Sequence, residues 1–72
     1  MYQMSQPSLY MIVHVDQMKN EVHLEKHVFK KKVIVNVSKE EAAAYVQSVN
    51  KAVEHGSLPY VEYDEERGVI CE

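Results

Sequence analysis

Hydrophobic and polar residues alternate along the N-terminal half of the chain with a period of two, which predicts β-strands. The first stretch has one row of Leu9, Met11, Val13 and Val15 and another of Tyr10, Ile12, His14 and Asp16. After polar residues 17–20 come an apolar row of Val22, Leu24 and Val28 and an opposite row of His23, Glu25, His27 and Phe29. A loop of two residues (19–20) or four (17–20) places both apolar rows on one side. The pattern predicts a β-hairpin with an even loop.

A change of parity marks the third strand. Apolar residues fall on even positions before Lys30, Lys31 and Lys32 and on odd positions after them, at Val33, Val35 and Val37. A single strand over 21–37 would far exceed the usual strand length. We therefore expect the chain to reverse at the lysine triplet and to continue as a third strand.

Residues 38–56 have the features of a complete helix. Ser38 is a typical N-cap, Glu41 stands three residues later as in a capping box, and Gly56 provides a left-handed end. At 100° per residue an apolar stripe occupies roughly a third of the helix circumference. It comprises Ala42, Tyr45, Val46, Val49, Ala52 and Val53. We expect this stripe to cover one face of the sheet.

Two further strands follow the helix, at 60–64 and 69–71, with a turn at 65–68 that places Gly68 at a left-handed position. The order β-β-β-α-β-β predicts a small two-layer α+β domain, with a mainly antiparallel sheet and one helix packed on one face. Residues 8–72 are expected to form this single domain. Residues 1–7 are expected to be a flexible N-terminal tail.

Composition narrows the function classes. Of the 72 residues, 46% are hydrophobic and 26% charged, which is typical of a folded domain, and the net charge of −3 gives no bulk attraction to nucleic acid or anionic membrane. Cys71 is the only cysteine, so no intramolecular disulfide can form. No signal peptide or membrane-length apolar run is recognised. We expect a cytoplasmic protein.

The predicted sheet face away from the helix is the main candidate interaction surface. Its residues are Tyr10, Ile12, His14, His23, Glu25, His27 and Phe29. A two-layer fold would leave the apolar bulk of Tyr10, Ile12 and Phe29 uncovered, and such bulk commonly marks an association surface. The alternative is an ordinary solvent-exposed antiparallel face.

The same face brings histidines together. With a four-residue hairpin loop, His14 lies opposite His23, where both imidazoles could reach one zinc ion, with Asp16 or Glu25 nearby. His27 would lie ~13 Å from His23 along the strand, too far to share an ion. The spacing is not diagnostic of a metal site. No metal or other cofactor is therefore predicted, and His14 and His23 remain the candidates if one binds.

Two charged segments are further candidates. Lys30, Lys31 and Lys32 could contact phosphates, although they lack the stacking aromatics of a committed nucleic-acid binder. The acidic turn of Glu62, Asp64, Glu65 and Glu66 could meet a basic protein, or could simply be solvated. No acid, base and nucleophile set is apparent, so the chain is not expected to be an enzyme.

These observations favour a small protein-binding module, an accessory regulator or inhibitor that uses a sheet face, a strand edge or the acidic turn. Its partner would be another protein or a second copy in a homodimer. The alternatives are a nucleic-acid-binding accessory protein that uses the lysine triplet and a small histidine-based metal-binding module. A membrane partner is not expected.

Overall fold

The computed structural model describes residues 8–26 and 30–71, which form one helix and a five-stranded sheet. The elements are β1 (Ser8–Asp16), β2 (Glu21–Glu25), β3 (Lys32–Asn36), α1 (Lys39–Glu54), β4 (Tyr60–Asp64) and β5 (Val69–Cys71). The strand order is β3-β2-β1-β4-β5, and all neighbours are antiparallel. The predicted α+β fold and its element order are confirmed. The predicted tail, residues 1–7, lies outside the described residues.

Helix α1 begins and ends at the predicted signals. The Ser38 hydroxyl oxygen accepts the Glu41 N–H at 3.0 Å, and the Glu41 carboxylate accepts the Ser38 N–H at 2.8 Å, which completes the capping box. At the other end, Gly56 has φ +71° and donates its N–H to Val53 O, while the Ser57 N–H reaches Ala52 O. This pair of bonds is a Schellman motif, which satisfies carbonyl groups that the helix end leaves open.

Two hairpin turns have the same construction. Each is a four-residue loop in which an aspartate side chain accepts two backbone N–H bonds: from Met18 and Lys19 to Asp16, and from Glu66 and Arg67 to Asp64. Each ends on a residue with positive φ, Asn20 at 56° and Gly68 at 72°. The loop 17–20 confirms the predicted even loop between β1 and β2.

The hydrophobic core lies between the sheet and α1 and corrects one prediction. Tyr10 and Ile12 are buried, with 0% and 5% of their surfaces exposed, rather than lying on an uncovered face. Leu9 and Val13, which were expected to face the helix, are 57% and 47% exposed. The prediction of these four orientations was therefore wrong.

A β-bulge at Val13 explains the error. Ile12 pairs with Leu24 and His14 with His23, so Val13 is the extra residue on β1. An extra residue shifts the side-chain alternation by one position. Tyr10, Ile12 and Val15 consequently share one face although their numbers differ in parity.

The remaining core follows the predicted pattern. Val22, Leu24 and Val35 are buried, and Tyr63 of β4 joins them. From α1, Ala42 is fully buried and Tyr45 and Val49 pack against the core, whereas Val53 in the last turn is 65% exposed. Within residues 8–26 and 30–71, no helix is long and apolar enough to span a membrane.

Candidate functional site

The sheet face that α1 does not cover, called the open face below, follows from the strand registers. Residues paired across antiparallel strands project to the same side. Its rows are Asn36, Glu21 and Asp16; Ile34, His23 and His14; Lys32, Glu25, Met11 and Tyr60; Leu9, Glu62 and Cys71; and Asp64 and Val69. The open face therefore mixes apolar, acidic and histidine side chains.

Apolar side chains on the open face are exposed to an unusual degree. Leu9, Ile34, Tyr60 and Val69 are between 46% and 57% exposed, and they are four of the eight exposed large hydrophobic residues in the described part of the chain. Val13, at the bulge, is a fifth exposed apolar residue. Val13 and Ile34 line one groove of about 330 Å³ together with His23. Within residues 8–26 and 30–71, no element covers this apolar surface of the open face.

The charge on the open face is mostly negative. Its acidic residues are Asp16, Glu21, Glu25, Glu62 and Asp64, and among the described residues of these rows Lys32 is the one lysine or arginine. The backbone N–H of Lys19, and then that of Met18, lowers the pKa of Asp16 by hydrogen bonding to its carboxylate. Asp16 therefore stays ionised at neutral pH.

His14 and His23 face each other across β1 and β2, two residues from the hairpin loop, as a four-residue loop predicts. Their ring centroids lie 5.3 Å apart, with an interplanar angle of 81°. The Nε2 atom of His23 lies 3.2 Å from a carboxylate oxygen of Glu21. Among the described residues, no group of three or more histidine, cysteine, aspartate or glutamate side chains converges to hold a metal ion.

Two of the predicted surface residues, His27 and Phe29, lie outside the described residues. Of the remainder, the structure keeps His14, His23 and Glu25 on the open face. Tyr10 and Ile12 lie in the hydrophobic core instead.

Tyr10 instead takes part in a polar cluster that sequence reasoning missed. Its hydroxyl donates a 2.5 Å hydrogen bond to Glu65, and its ring meets the Tyr63 ring edge-on at 5.2 Å. Lys26 and Lys31 place their Nζ atoms 3.8 Å and 3.6 Å from the same Glu65 oxygen. Residues so far apart in sequence share no local pattern, so no sequence signal indicated this cluster.

The cluster shifts two pKa values in opposite directions. Burial, followed by the hydrogen bond to Glu65, raises the pKa of Tyr10 to about 12. The hydrogen bond from Tyr10, followed by the charges of Lys26 and Lys31, lowers the pKa of Glu65. The cluster therefore holds an ionised carboxylate against a neutral phenol.

The residues of the predicted acidic turn lie in two different parts of the structure, and so do those of the lysine triplet. Glu62 and Asp64 lie on the open face, whereas Glu65 binds the cluster around Tyr10. Lys31 pairs with that same Glu65, whereas Lys32 lies opposite Glu25 on the open face. Neither set is arranged as one patch.

A second concave surface lies on the helix side of the sheet. Helix α1 contacts mainly β1 and β2, and a groove of about 520 Å³ remains between the helix and the β4–β5 pair. Ala44, Tyr45, Val61 and Ile70 supply much of its apolar lining. Helix α1 forms one wall of this groove, and Tyr60 and Cys71 also line it.

Comparisons with known proteins place the chain among relatives whose function is also unknown. The model of a family of unknown function, DUF5511, matches residues 4–72. An uncharacterized protein of Bacillus anthracis is 65% identical over 69 residues, which cover 96% of this chain and 100% of that protein. No solved structure matches.

Proposed function

The chain belongs to the DUF5511 family of unknown function, and we propose that it is a small protein-binding module whose open face docks on a basic partner protein. The observation that carries the proposal is the exposure of Leu9, Ile34, Tyr60 and Val69 on one side of the sheet. An antiparallel sheet face exposed to water normally carries polar side chains. Apolar residues distributed along such a face are typical of an association surface.

Charge indicates the kind of partner. The acidic side chains Glu21, Glu25 and Glu62 lie among the apolar ones on the open face. Complementary potentials at an interface speed association and exclude wrong partners. A partner with an apolar centre and a lysine- or arginine-rich rim fits this pattern. A second copy stacked face to face would instead bring like charges together, so we favour a different protein over a homodimer.

We propose that the module acts as an accessory regulator or inhibitor, because a small domain with one association face can act by occupying a surface of its partner.

The experiment compares two variants that place the same charge on opposite sides of the domain. Ile34→Lys alters the open face, and Val53→Lys alters an equally accessible apolar residue on α1 (56% and 65% exposed). A partner is first captured from host cells with the wild-type chain and then purified. Its Kd is measured by isothermal titration calorimetry for all three chains.

We expect Ile34→Lys to weaken binding at least about tenfold, because it adds a positive charge opposite a basic rim. Val53→Lys should bind like the wild type, and added salt should weaken wild-type binding. Equal loss in both variants would refute docking through the open face. A concentration-dependent homodimer that Ile34→Lys dissociates would show instead that a second copy occupies it.

The other functions receive less support. Lys31 is paired with Glu65, which reduces the charge that the lysine triplet can offer to nucleic acid. We further propose that the module is not an enzyme and acts in the cytoplasm. The second proposal rests on Cys71, a free thiol, which suits a reducing compartment.

A further inference from the structure

We infer that His14 and His23 form a two-histidine site for zinc or a similar late first-row divalent cation. The pair lies directly across β1 and β2 on the open face, with ring centroids 5.3 Å apart. The inference does not depend on the proposed protein partner. It rests on the separation of the rings, the rigidity of the strands that carry them and the neighbouring carboxylate.

The ring separation matches the chemistry of a shared ion. Zinc binds imidazole nitrogen at about 2.0–2.1 Å in tetrahedral geometry, and each ring centroid lies about 1.2 Å beyond its nitrogen. Two imidazoles on one tetrahedral ion therefore have centroids about 5.2 Å apart. The observed separation of 5.3 Å is close to this value, so side-chain rotation could bring one nitrogen of each ring to a shared ion.

The backbone holds the pair in place. His14 and His23 are two residues from the ends of β1 and β2, and the turn between these strands is fixed by the Asp16 side chain, which accepts the N–H groups of Met18 and Lys19. A four-residue loop of this type sets the register that places the histidines opposite each other. Ligands on paired strands are positioned more accurately than ligands on loops.

Glu21 supports His23 as a metal ligand. The Nε2 atom of His23 donates toward the Glu21 carboxylate at 3.2 Å, which leaves Nδ1 of that ring to bind an ion. A carboxylate that accepts the second N–H of a ligating histidine fixes its tautomer and raises its basicity. Glu21 is thus a positioning residue, and His14 and His23 are the protein ligands.

The ligand set also selects the ion. Imidazole nitrogen suits zinc, nickel and copper, whereas magnesium and calcium prefer oxygen ligands. Among the described residues no third side chain joins the pair, so the proposed site has two protein ligands. We therefore expect moderate affinity, one ion per chain and little response to magnesium.

The test is a zinc titration of the full chain, observed through the imidazole resonances in ¹H–¹⁵N NMR spectra. The Cys71→Ser background removes the free thiol, which is itself a zinc ligand. His14→Gln and His23→Gln each remove one proposed ligand. His55→Gln is the matched control, because His55 is exposed at the far end of α1 with its Nδ1 atom beside Lys51 O.

We expect zinc to shift the His14 and His23 resonances together and to saturate at one ion per chain. Each single glutamine variant should weaken binding at least about tenfold, with a far-UV circular dichroism spectrum unchanged from the wild type, while His55→Gln and magnesium controls show no effect. The inference is overturned if zinc leaves both resonances unmoved, if either variant retains wild-type affinity, or if saturation occurs at one ion per two chains.

Discussion

The phenol of Tyr10 donates a 2.5 Å hydrogen bond to the carboxylate of Glu65, a residue 55 positions further along the chain. This bond joins β1 to the β4–β5 turn. Lys26 and Lys31 contact the same carboxylate from the connection between β2 and β3. Glu65 therefore holds three separate parts of the sheet together at one end.

Lowering the pH should reduce the stability that Glu65 gives to this end of the sheet. The folded-state pKa of Glu65 is lowered from its usual 4.5. A lowered pKa gives stability that is fully present above pH 4.5 and is lost as the pH falls through the folded-state value. We expect the free energy of unfolding, measured by urea denaturation, to fall as the pH is lowered below 4.5.

The Tyr10→Phe variant isolates this contribution. It removes the hydrogen bond that chiefly lowers the pKa of Glu65. At pH 7 we expect the substitution to lower the free energy of unfolding by about 1–2 kcal/mol. The difference from wild type should shrink as the pH falls, because protonated Glu65 no longer accepts a charge-assisted bond. A difference that stays constant from pH 7 to pH 3 would contradict this account of Glu65.

The bulge on β1 predicts opposite behaviour for two adjacent residues. Ile12 is 5% exposed in the core and Val13 is 47% exposed. Ile12→Ala should cost about 2–5 kcal/mol, enough to unfold much of a domain whose net stability is ~3–5 kcal/mol. Val13→Ala should change the unfolding free energy by less than about 0.5 kcal/mol.

Thermal denaturation of the two variants checks this prediction. Circular dichroism should show Ile12→Ala largely unfolded at 37 °C and Val13→Ala melting close to the wild type. A reversed order would mean that Val13, and not Ile12, packs beneath α1.

Local signals were sufficient to predict much of the fold from the sequence. Ser38 and Glu41 act within the first helical turn and Gly56 follows the last one, so each end of the helix could be recognised from a few neighbouring residues. Loop parity predicted that both apolar rows share one side, and the His14–His23 pairing was expected only for a four-residue loop, which the structure has.

The remaining features of the fold depend on effects that the alternation of apolar and polar residues does not encode. In β1 both rows of side chains contain large apolar residues, so either row could face the core. The bulge at Val13 decides between them, and no glycine or other residue in the sequence marks it. The Tyr10–Glu65 hydrogen bond could not be predicted from the sequence either, because it depends on which strands become neighbours in the sheet.

The capping box should contribute measurably to stability. The Ser38 hydroxyl accepts the Glu41 N–H, so Ser38→Ala leaves that donor without its cap and should cost about 1 kcal/mol. Ser48→Ala, on an exposed position within α1, is the matched control and should be neutral or slightly stabilising. Urea denaturation measures both, and equal midpoints for the two variants would rule out a role for the cap.

The most direct test of protein binding by the open face is an amide NMR titration of the ¹⁵N-labelled chain with its purified partner. The account predicts that the largest shift changes fall on β1, β2 and β3 around Leu9, His23 and Ile34, with α1 almost unaffected. Shift changes concentrated on α1 or in the groove beside Tyr45, with the open-face residues unmoved, would contradict it.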